Sequence, residues 1–183
     1  MISKIVAKRY AKALFVVGKE DNKLDEYHKE IAGIAKVLQE LPELADALTN
    51  PAYPSEGKLK LMSDVAGAVK LSPIMTKFVK LLVQKRRVPW ASDIGEMLQK
   101  LVDEYQGVKR AEVTSAVPLD ADTRKKIQDA LEKATSKKVV LSVREDPAIL
   151  GGLVVRAGDM VYDGSVSTQL MGVYDLIKRG EGI

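Results

Sequence analysis

The hydrophobic periodicity of the chain changes near Gly107, and this change constrains the fold more than any other feature of the sequence. Before Gly107, apolar residues recur at alternating steps of three and four, which places them on one stripe of a helix. After it, the segment from Lys109 to Val117 alternates with period two, as a strand does. The two patterns predict two domains, residues 1–106 and 107–183. The longest helical stripe is formed by Leu24, Tyr27, Ile31, Ile34, Leu38 and Leu41.

The first domain is predicted to be a bundle of six helices. Pro42 ends or bends the second helix, because proline lacks an amide donor and crowds the preceding turn. Ser72-Pro73 combines an N-cap residue with a proline at the first helical position. The apolar stripes place the six helices around Val6–Val17, Leu24–Leu41, Leu44–Leu48, Leu59–Ala66, Ile74–Leu82 and Ile94–Tyr105.

The second domain is predicted to be a small α/β domain with a short sheet and a terminal helix. Pro118 stops the first strand, and Asp120 caps a helix that has Ile127, Leu131 and Ala134 on its inner side. Three further strands and a last helix follow, at Lys138–Arg144, Leu153–Val155, Met160–Tyr162 and Val166–Ile177. Gly158 lies in the hairpin between the last two strands, where we expect a left-handed conformation. The fold class is therefore α+β, with two domains.

The sequence offers no set of residues suited to catalysis. It contains no cysteine and one histidine, His28, so disulfides, thiolate chemistry and two-histidine metal sites are excluded. His28 is predicted to lie on the solvent side of its helix. Asp159 and Asp163 suggest a calcium loop, but Met160–Tyr162 between them has strand character and no bidentate glutamate follows. We therefore predict no catalytic residue, no metal and no cofactor.

The net charge of +4 and its distribution do not single out a charged partner. Basic residues cluster at Lys4, Lys8, Arg9 and Lys12, and again at Lys85–Arg87, but acidic residues are mixed throughout. Such runs are usually solvated helix faces, and a cation at a helix C-terminus is favoured by the macrodipole. A nucleic-acid-binding module is the alternative from another class, and a steep salt dependence of binding would reveal it. An enzyme ranks third.

Three passages together resemble one protein family. Ala7-Lys8-Arg9-Tyr10-Ala11-Lys12-Ala13-Leu14-Phe15 resembles the opening helix of the δ subunit of F-type ATP synthase, whose mitochondrial counterpart is the oligomycin-sensitivity-conferring protein. The segment from Phe78 to Val88 resembles the fifth helix of that family and the turn after it. The segment from Ile149 to Val166 carries its double glycine, Gly-Asp and Asp-Gly-Ser-Val in the family's order and spacing. The strand exit at Val113–Leu119 matches as well.

The resemblance implies a non-catalytic subunit of the peripheral stalk of a proton-translocating complex, linking the α/β catalytic head to the b subunits. The implied partners are the N-terminal helix of an α subunit and the C-terminal segments of the b subunits, with no nucleic acid. The implied location is the cytoplasmic side of the bacterial inner membrane, with membrane association only through the complex. The family's groove between the first and fifth helices would be formed here by Tyr10, Ala13, Leu14, Val17, Phe78, Leu81 and Leu82.

The C-terminal motif of the family is carried by small and acidic residues. Its members in this chain are Gly151, Gly152, Gly158, Asp159, Asp163, Gly164 and Ser165. The sequence differs from the family's pattern at one position in the first domain, where family members often carry glycine and this chain has Arg86. We therefore expect the turn after the fifth helix to differ from the family's. A close approach of a partner helix needs a small residue, and Ala13 supplies one between two larger side chains.

Overall fold

The computed structural model describes residues 2–158 and 160–179, with side chains described for residues 5–158 and 160–178. The chain divides into two compact units, Met1–Val102 and Asp103–Ile183. The predicted class is confirmed: a helical N-terminal region is followed by a four-stranded mixed sheet and a terminal helix.

The first unit is built from the six predicted helices. A 3₁₀ turn at Val88–Trp90 precedes the last of them, and that last helix continues beyond Val102 into the second unit. In chain order the helices are α1 Ile2–Glu20, α2 Leu24–Glu40, α3 Pro42–Thr49, α4 Ser55–Ala68, α5 Pro73–Gln84 and α6 Ala91–Gln106.

Local chemistry explains where these helices start. Pro42 occupies the first turn of α3, where its missing N–H costs nothing, so α2 ends at Glu40 and α3 begins after the single residue Leu41. The Ser72 hydroxyl caps α5 by accepting a hydrogen bond from the Met75 amide at 3.3 Å. Both helix starts follow the prediction.

One apolar core fills the first unit, and two polar side chains are buried with it. The Tyr27 ring is buried and its hydroxyl donates to Asp21 at 2.7 Å. Burial, then the bond to Asp21, raises the pKa of Tyr27 to about 12. The Lys58 side chain is also buried, and its Nζ donates to the Asn50 carbonyl at the end of α3. The largest buried apolar residues are Ile31, Ile34, Leu48, Met62, Met75, Leu82, Ile94 and Leu98.

The second unit is a four-stranded sheet with a helix from the β1–β2 crossover and a terminal helix. Its elements are β1 Val108–Ser115, α7 Ala121–Thr135, β2 Lys138–Glu145, β3 Leu153–Ala157, β4 Met160–Asp163 and α8 Val166–Arg179. The strand order is β2-β1-β3-β4. The β1–β2 pair is parallel because α7 connects these strands, whereas β3 pairs antiparallel with β1 and with β4.

The core of the second unit is small. Ala111, Val139 and Ala157 form its centre, and Leu131 of α7 packs against it. Ala134 is exposed rather than on the inner side of α7, because only part of this short helix reaches the sheet. His28 in the first unit is likewise half-buried instead of fully solvent-facing. Terminal helix α8 leaves large apolar side chains exposed, among them Leu170, Met171, Val173, Tyr174 and Ile177.

Candidate functional site

The described residues contain an exposed apolar surface but no arrangement typical of an enzyme. Among them, no group of three or more histidine, aspartate or glutamate side chains is placed to hold a metal ion. Within the same residues, no helix combines the length and the apolar character needed to cross a membrane. The candidate site is therefore a surface.

Helices α1 and α5 meet at a pair of aromatic rings. The ring centroids of Tyr10 and Phe78 are 6.3 Å apart, with the ring planes at 74°. This edge-to-face geometry is the arrangement that aromatic pairs prefer, because the positive edge of one ring meets the negative face of the other. The pair joins the middle of α1 to the middle of α5.

Half-buried and exposed apolar residues extend along both helices from this ring pair. On α1 the apolar residues are spaced by four, three and four positions, which puts them on one face of the helix. On α5 they are spaced by four and three positions, which does the same. Ile74 is 36% exposed and Leu81 39% exposed. We call this set the α1–α5 surface; its residues are Val6, Tyr10, Ala13, Val17, Ile74, Phe78 and Leu81.

The structure separates the seven groove residues predicted from the sequence into two groups. Ala13 and Leu81 are exposed, and Tyr10, Val17 and Phe78 are half-buried, so all five are accessible. Leu14 and Leu82 are 2% and 1% exposed and belong to the bundle core, because their positions turn them inward from the stripe. The α1–α5 surface also includes Val6 and Ile74, each of which lies four residues before a ring of the Tyr10–Phe78 pair.

Both helices that carry the surface are basic. Helix α5 has Lys77 and Lys80 and no acidic residue, and the one acidic residue of α1 is Glu20 at its end. Lys8, Arg9 and Lys12 are exposed on α1; the side chain of Lys4 lies outside those described. An apolar stripe bordered by cations suits a partner helix with apolar and acidic residues.

A hydrogen-bonded glutamate fixes the start of α5. Glu30 of α2 accepts from the Ser72 amide at 2.8 Å through Oε1, and from the Ser72 hydroxyl at 2.7 Å through Oε2. Charge-assisted bonds of this kind are among the stronger ones in proteins. They hold the α5 half of the surface against α2.

The turn after α5 keeps the geometry that glycine would give it. Arg86 has a φ of +55°. Its amide donates to the Val83 carbonyl at 3.0 Å, and the Arg87 amide donates to the Leu82 carbonyl at 2.7 Å. These two bonds define a Schellman motif with Arg86 at the left-handed position. The helix-ending bonds hold the arginine in this conformation, and the expectation that the turn differs from the family's stays a prediction. Arg87 then lies 4.2 Å from the Trp90 ring.

The glycine-rich motif of the second unit brings two backbone segments into contact. Gly152 has a φ of +78°, and a Cβ there would overlap the Gly164 carbonyl oxygen. The Gly164 amide donates to the Leu153 carbonyl at 2.9 Å, and the Val166 amide donates to the Gly151 carbonyl at 3.0 Å. The double glycine therefore lets the start of α8 pack against the start of β3.

Asp163 and Ser165 close the N-terminus of α8. Asp163 accepts from the Ser165 amide at 2.9 Å and from the Thr168 hydroxyl at 2.8 Å. The Thr168 amide donates to the buried Ser165 hydroxyl at 3.2 Å. The bond from the Ser165 amide is the main reason that the pKa of Asp163 is lowered. The Asp-Gly-Ser-Val sequence acts here as a helix cap.

The hairpin glycine has the conformation predicted for it. Gly158 has a φ of +63°, and a Cβ at this position would meet no atom of the described residues within 4 Å. Backbone strain therefore opposes a side chain there. Asp159, the other residue predicted at this turn, lies outside the described residues.

Two further carboxylates in the second unit have lowered pKa values. The pKa of Asp120 is lowered chiefly by its hydrogen bonds from Thr123 at the start of α7. The pKa of Glu132 is lowered first by the hydrogen bond from the Val139 amide, then by the Gln128 side chain. All three carboxylates accept structural hydrogen bonds, which account for their lowered pKa values.

Comparison with known families and proteins gives one consistent result. Residues 6–175 match the family described as ATP synthase delta (OSCP) subunit. The ATP synthase subunit delta of Desulfosudis oleivorans is 41% identical over 179 residues, which cover 98% of each chain. The same subunit of Syntrophobacter fumaroxidans is 40% identical over 176 residues, covering 96% of each chain.

A solved structure agrees with the sequence comparisons. A chain in the cryo-EM structure of the Toxoplasma gondii mitochondrial ATP synthase hexamer superposes with a TM-score of 0.68 and 25% identity. The match covers 93% of this chain and 96% of that one. The similarity therefore spans both units, including the α1–α5 surface and the glycine-rich turn.

Proposed function

Because this chain belongs to the ATP synthase delta (OSCP) subunit family, we propose that its α1–α5 surface binds the N-terminal helix of an α subunit. The chain is a component of the peripheral stalk of a bacterial F-type ATP synthase, which couples ATP synthesis to proton transport. It is a non-catalytic stator subunit. Its place at the membrane is peripheral, through the complex.

The observation that carries the proposal is the exposed apolar stripe joined by the Tyr10–Phe78 ring pair. Ala13 is exposed between the two larger residues of its stripe, so a partner helix can approach closely there. Burying about four apolar side chains contributes roughly 6–12 kcal/mol gross. Association costs an estimated ~4–15 kcal/mol, so this contact alone is marginal and needs further attachment points.

In this proposal the second unit provides the second attachment point. The second unit binds the C-terminal segments of the b subunits, so that the stalk holds the α/β head against the rotation of the rotor. Exposed apolar residues of α8 support this assignment, since large exposed apolar patches commonly mark protein interfaces. The complex then keeps the subunit on the cytoplasmic side of the inner membrane.

The substitution Ala13→Arg tests the α-subunit contact. The arginine would place a charge inside the apolar helix–helix contact, which costs several kcal/mol when the charge is desolvated and unpaired. Binding of a synthetic α-subunit N-terminal peptide, measured by titration calorimetry, is expected to weaken by more than about tenfold. Because Ala13 is exposed, the circular dichroism spectrum and melting temperature of the variant are expected to stay near wild type.

Ala32→Arg is the matched control, since Ala32 is exposed on α2 outside the α1–α5 surface. It adds the same charge and is expected to leave peptide binding unchanged. If Ala13→Arg folds and binds the peptide as tightly as the control, the α-subunit contact lies elsewhere on the bundle.

A further inference from the structure

The outer edge of β2 is a second surface on which the chain offers unused binding groups. β2 is the first strand in the order β2-β1-β3-β4, so it pairs with β1 on one side only. An edge strand of eight residues presents a row of backbone donors and acceptors to whatever lies beside it.

Two side chains of α7 show which way these groups point. The Val139 amide donates to Glu132 Oε1 at 3.0 Å, and the Val139 carbonyl accepts from Gln128 Nε2 at 2.9 Å. Both groups of Val139 therefore point away from β1. Backbone groups alternate sides along a strand, so the N–H and C=O groups of Leu141 and Val143 point the same way. In the described part of the chain, no such side-chain bonds are made to these two residues.

A groove runs beside this free part of the edge. It lies between α7 and β2 and has a volume of about 400 Å³. Its lining is Arg124, Gln128, Val139, Val140, Leu141 and Val143. A helix and an edge strand with a groove between them is the arrangement that accepts an extended peptide as an added strand.

The charges around the groove favour one kind of peptide. On β2 itself Lys138 and Arg144 are exposed and basic, Glu145 at its end is exposed and acidic, and Arg124 of α7 lines the groove. None of the described residues that line the groove is acidic, and the nearby Glu132 carboxylate accepts hydrogen bonds from the Val139 amide and the Gln128 side chain. An incoming strand with acidic side chains therefore meets positive charge.

We propose that the β2 edge binds an extended, acidic segment of a partner protein, which adds to the sheet as a fifth strand in the groove beside α7. The peptide backbone pairs with Leu141 and Val143. The side chains of Glu132 and Gln128 already bond the amide and carbonyl of Val139, so the peptide backbone does not pair with Val139. This site is separate from the α1–α5 surface and does not depend on the binding of an α subunit.

Amide hydrogen exchange of the full-length chain tests the proposal. The probe is a peptide of about eight residues that alternates valine and glutamate, because alternate side chains of an added strand face the groove. Exchange at the Leu141 and Val143 amides, followed by NMR, is expected to slow by about tenfold or more when the peptide binds. The Val139 amide, already bonded to Glu132, is expected to change little.

Two variants separate strand addition from other forms of binding. Val143→Pro removes an outward N–H, a change that edge strands tolerate, and is expected to weaken peptide binding by about tenfold or more. Arg124→Glu leaves the backbone edge intact and is expected to shift the preference to a valine–lysine peptide. Fluorescence anisotropy of labelled peptides measures both.

Three results would overturn the proposal. The first is unchanged exchange at Leu141 and Val143 at millimolar peptide. The second is equal protection by a peptide with a central proline, which cannot pair as a strand. The third is protection that depends on protein concentration without peptide, which would assign the edge to a second copy of this chain.

Discussion

At Arg86 a single residue ends a helix in a conformation that most L-residues avoid. Its φ of +55° is imposed by the two helix-ending bonds of the α5 turn. A Cβ in the left-handed region costs roughly 1 kcal/mol, which glycine does not incur. The arginine therefore holds the turn at some expense of stability.

Arg86→Gly is expected to stabilise the first unit by about 1 kcal/mol, because it relieves this strain and keeps both bonds. Urea denaturation followed by circular dichroism measures the change. Lys85→Gly is the matched control: its φ is −86°, so glycine adds chain entropy there without relieving strain and is expected to destabilise. A loss of stability in Arg86→Gly comparable to that of the control would contradict the account.

Gly152→Ala is expected to destabilise the second unit by about 2 kcal/mol or more, since its Cβ would overlap the Gly164 carbonyl. Thermal melting of the wild type and of Gly152→Ala measures the difference in stability. Gly172→Ala is the control in the same unit: Gly172 lies inside α8, and a Cβ there would meet no atom of the described residues within 4 Å, so alanine should stabilise that helix slightly. Similar melting temperatures of Gly152→Ala and Gly172→Ala would show that the close approach of Gly152 to the Gly164 carbonyl does not affect stability.

The start of α8 depends on a titratable group, Asp163. The pKa of Asp163 is lower in the folded chain than its ordinary value of 3.8, because Ser165 and Thr168 donate to the carboxylate. A lowered folded pKa means that the carboxylate stabilises the fold above pH 3.8 and that this stability is lost as pH falls through the folded pKa.

Asp163→Asn is expected to flatten part of the acid-induced loss of stability below pH 3.8. The measurement is the free energy of unfolding from about pH 6 to about pH 2.5, compared between the two proteins. Asp120 and Glu132 also have lowered pKa values, but they titrate in both proteins and cancel in the difference. Parallel pH profiles would show that the cap does not depend on the charge of Asp163.

Elements with strong periodicity were predictable, whereas exposure at single positions was not. The helical stripes and the Ser72-Pro73 start gave the six helices, because period and caps are local properties of the sequence. Leu14 and Leu82 share the apolar character of Tyr10 and Leu81, so no local signal tells the core from the surface. The bond between Glu30 and Ser72 joins positions 42 residues apart and has no sequence signature.

For the whole molecule, we propose that the domains meet at residues 106 and 107. Gly107, with a φ of +67°, is the one residue between α6 and β1. Within the second unit, Arg110 is bonded to Asp103 of α6 at 2.8 and 3.1 Å, which restrains the chain on both sides of Gly107.

Limited trypsin digestion is expected to cut first near Gln106–Lys109 and to leave a helical fragment, because segments between domains open most easily. Mass spectrometry identifies the cleavage site, and circular dichroism measures the helix content of the fragment. Asp103→Asn removes the ion pair with Arg110 and is expected to speed this cut. Resistance at this segment while other sites are cleaved would argue against two separable domains.

The buried Lys58 gives the whole molecule an internal chemical reporter. Its amine is bonded to the Asn50 carbonyl, whereas lysines such as Lys8, Lys60 and Lys125 are exposed. Amine-reactive reagents therefore modify the exposed lysines first, and Lys58 reacts only when the α3–α4 region opens. The labelling rate of Lys58 follows the opening of the helical unit even when the subunit is part of a large assembly, where melting curves cannot resolve one chain among many.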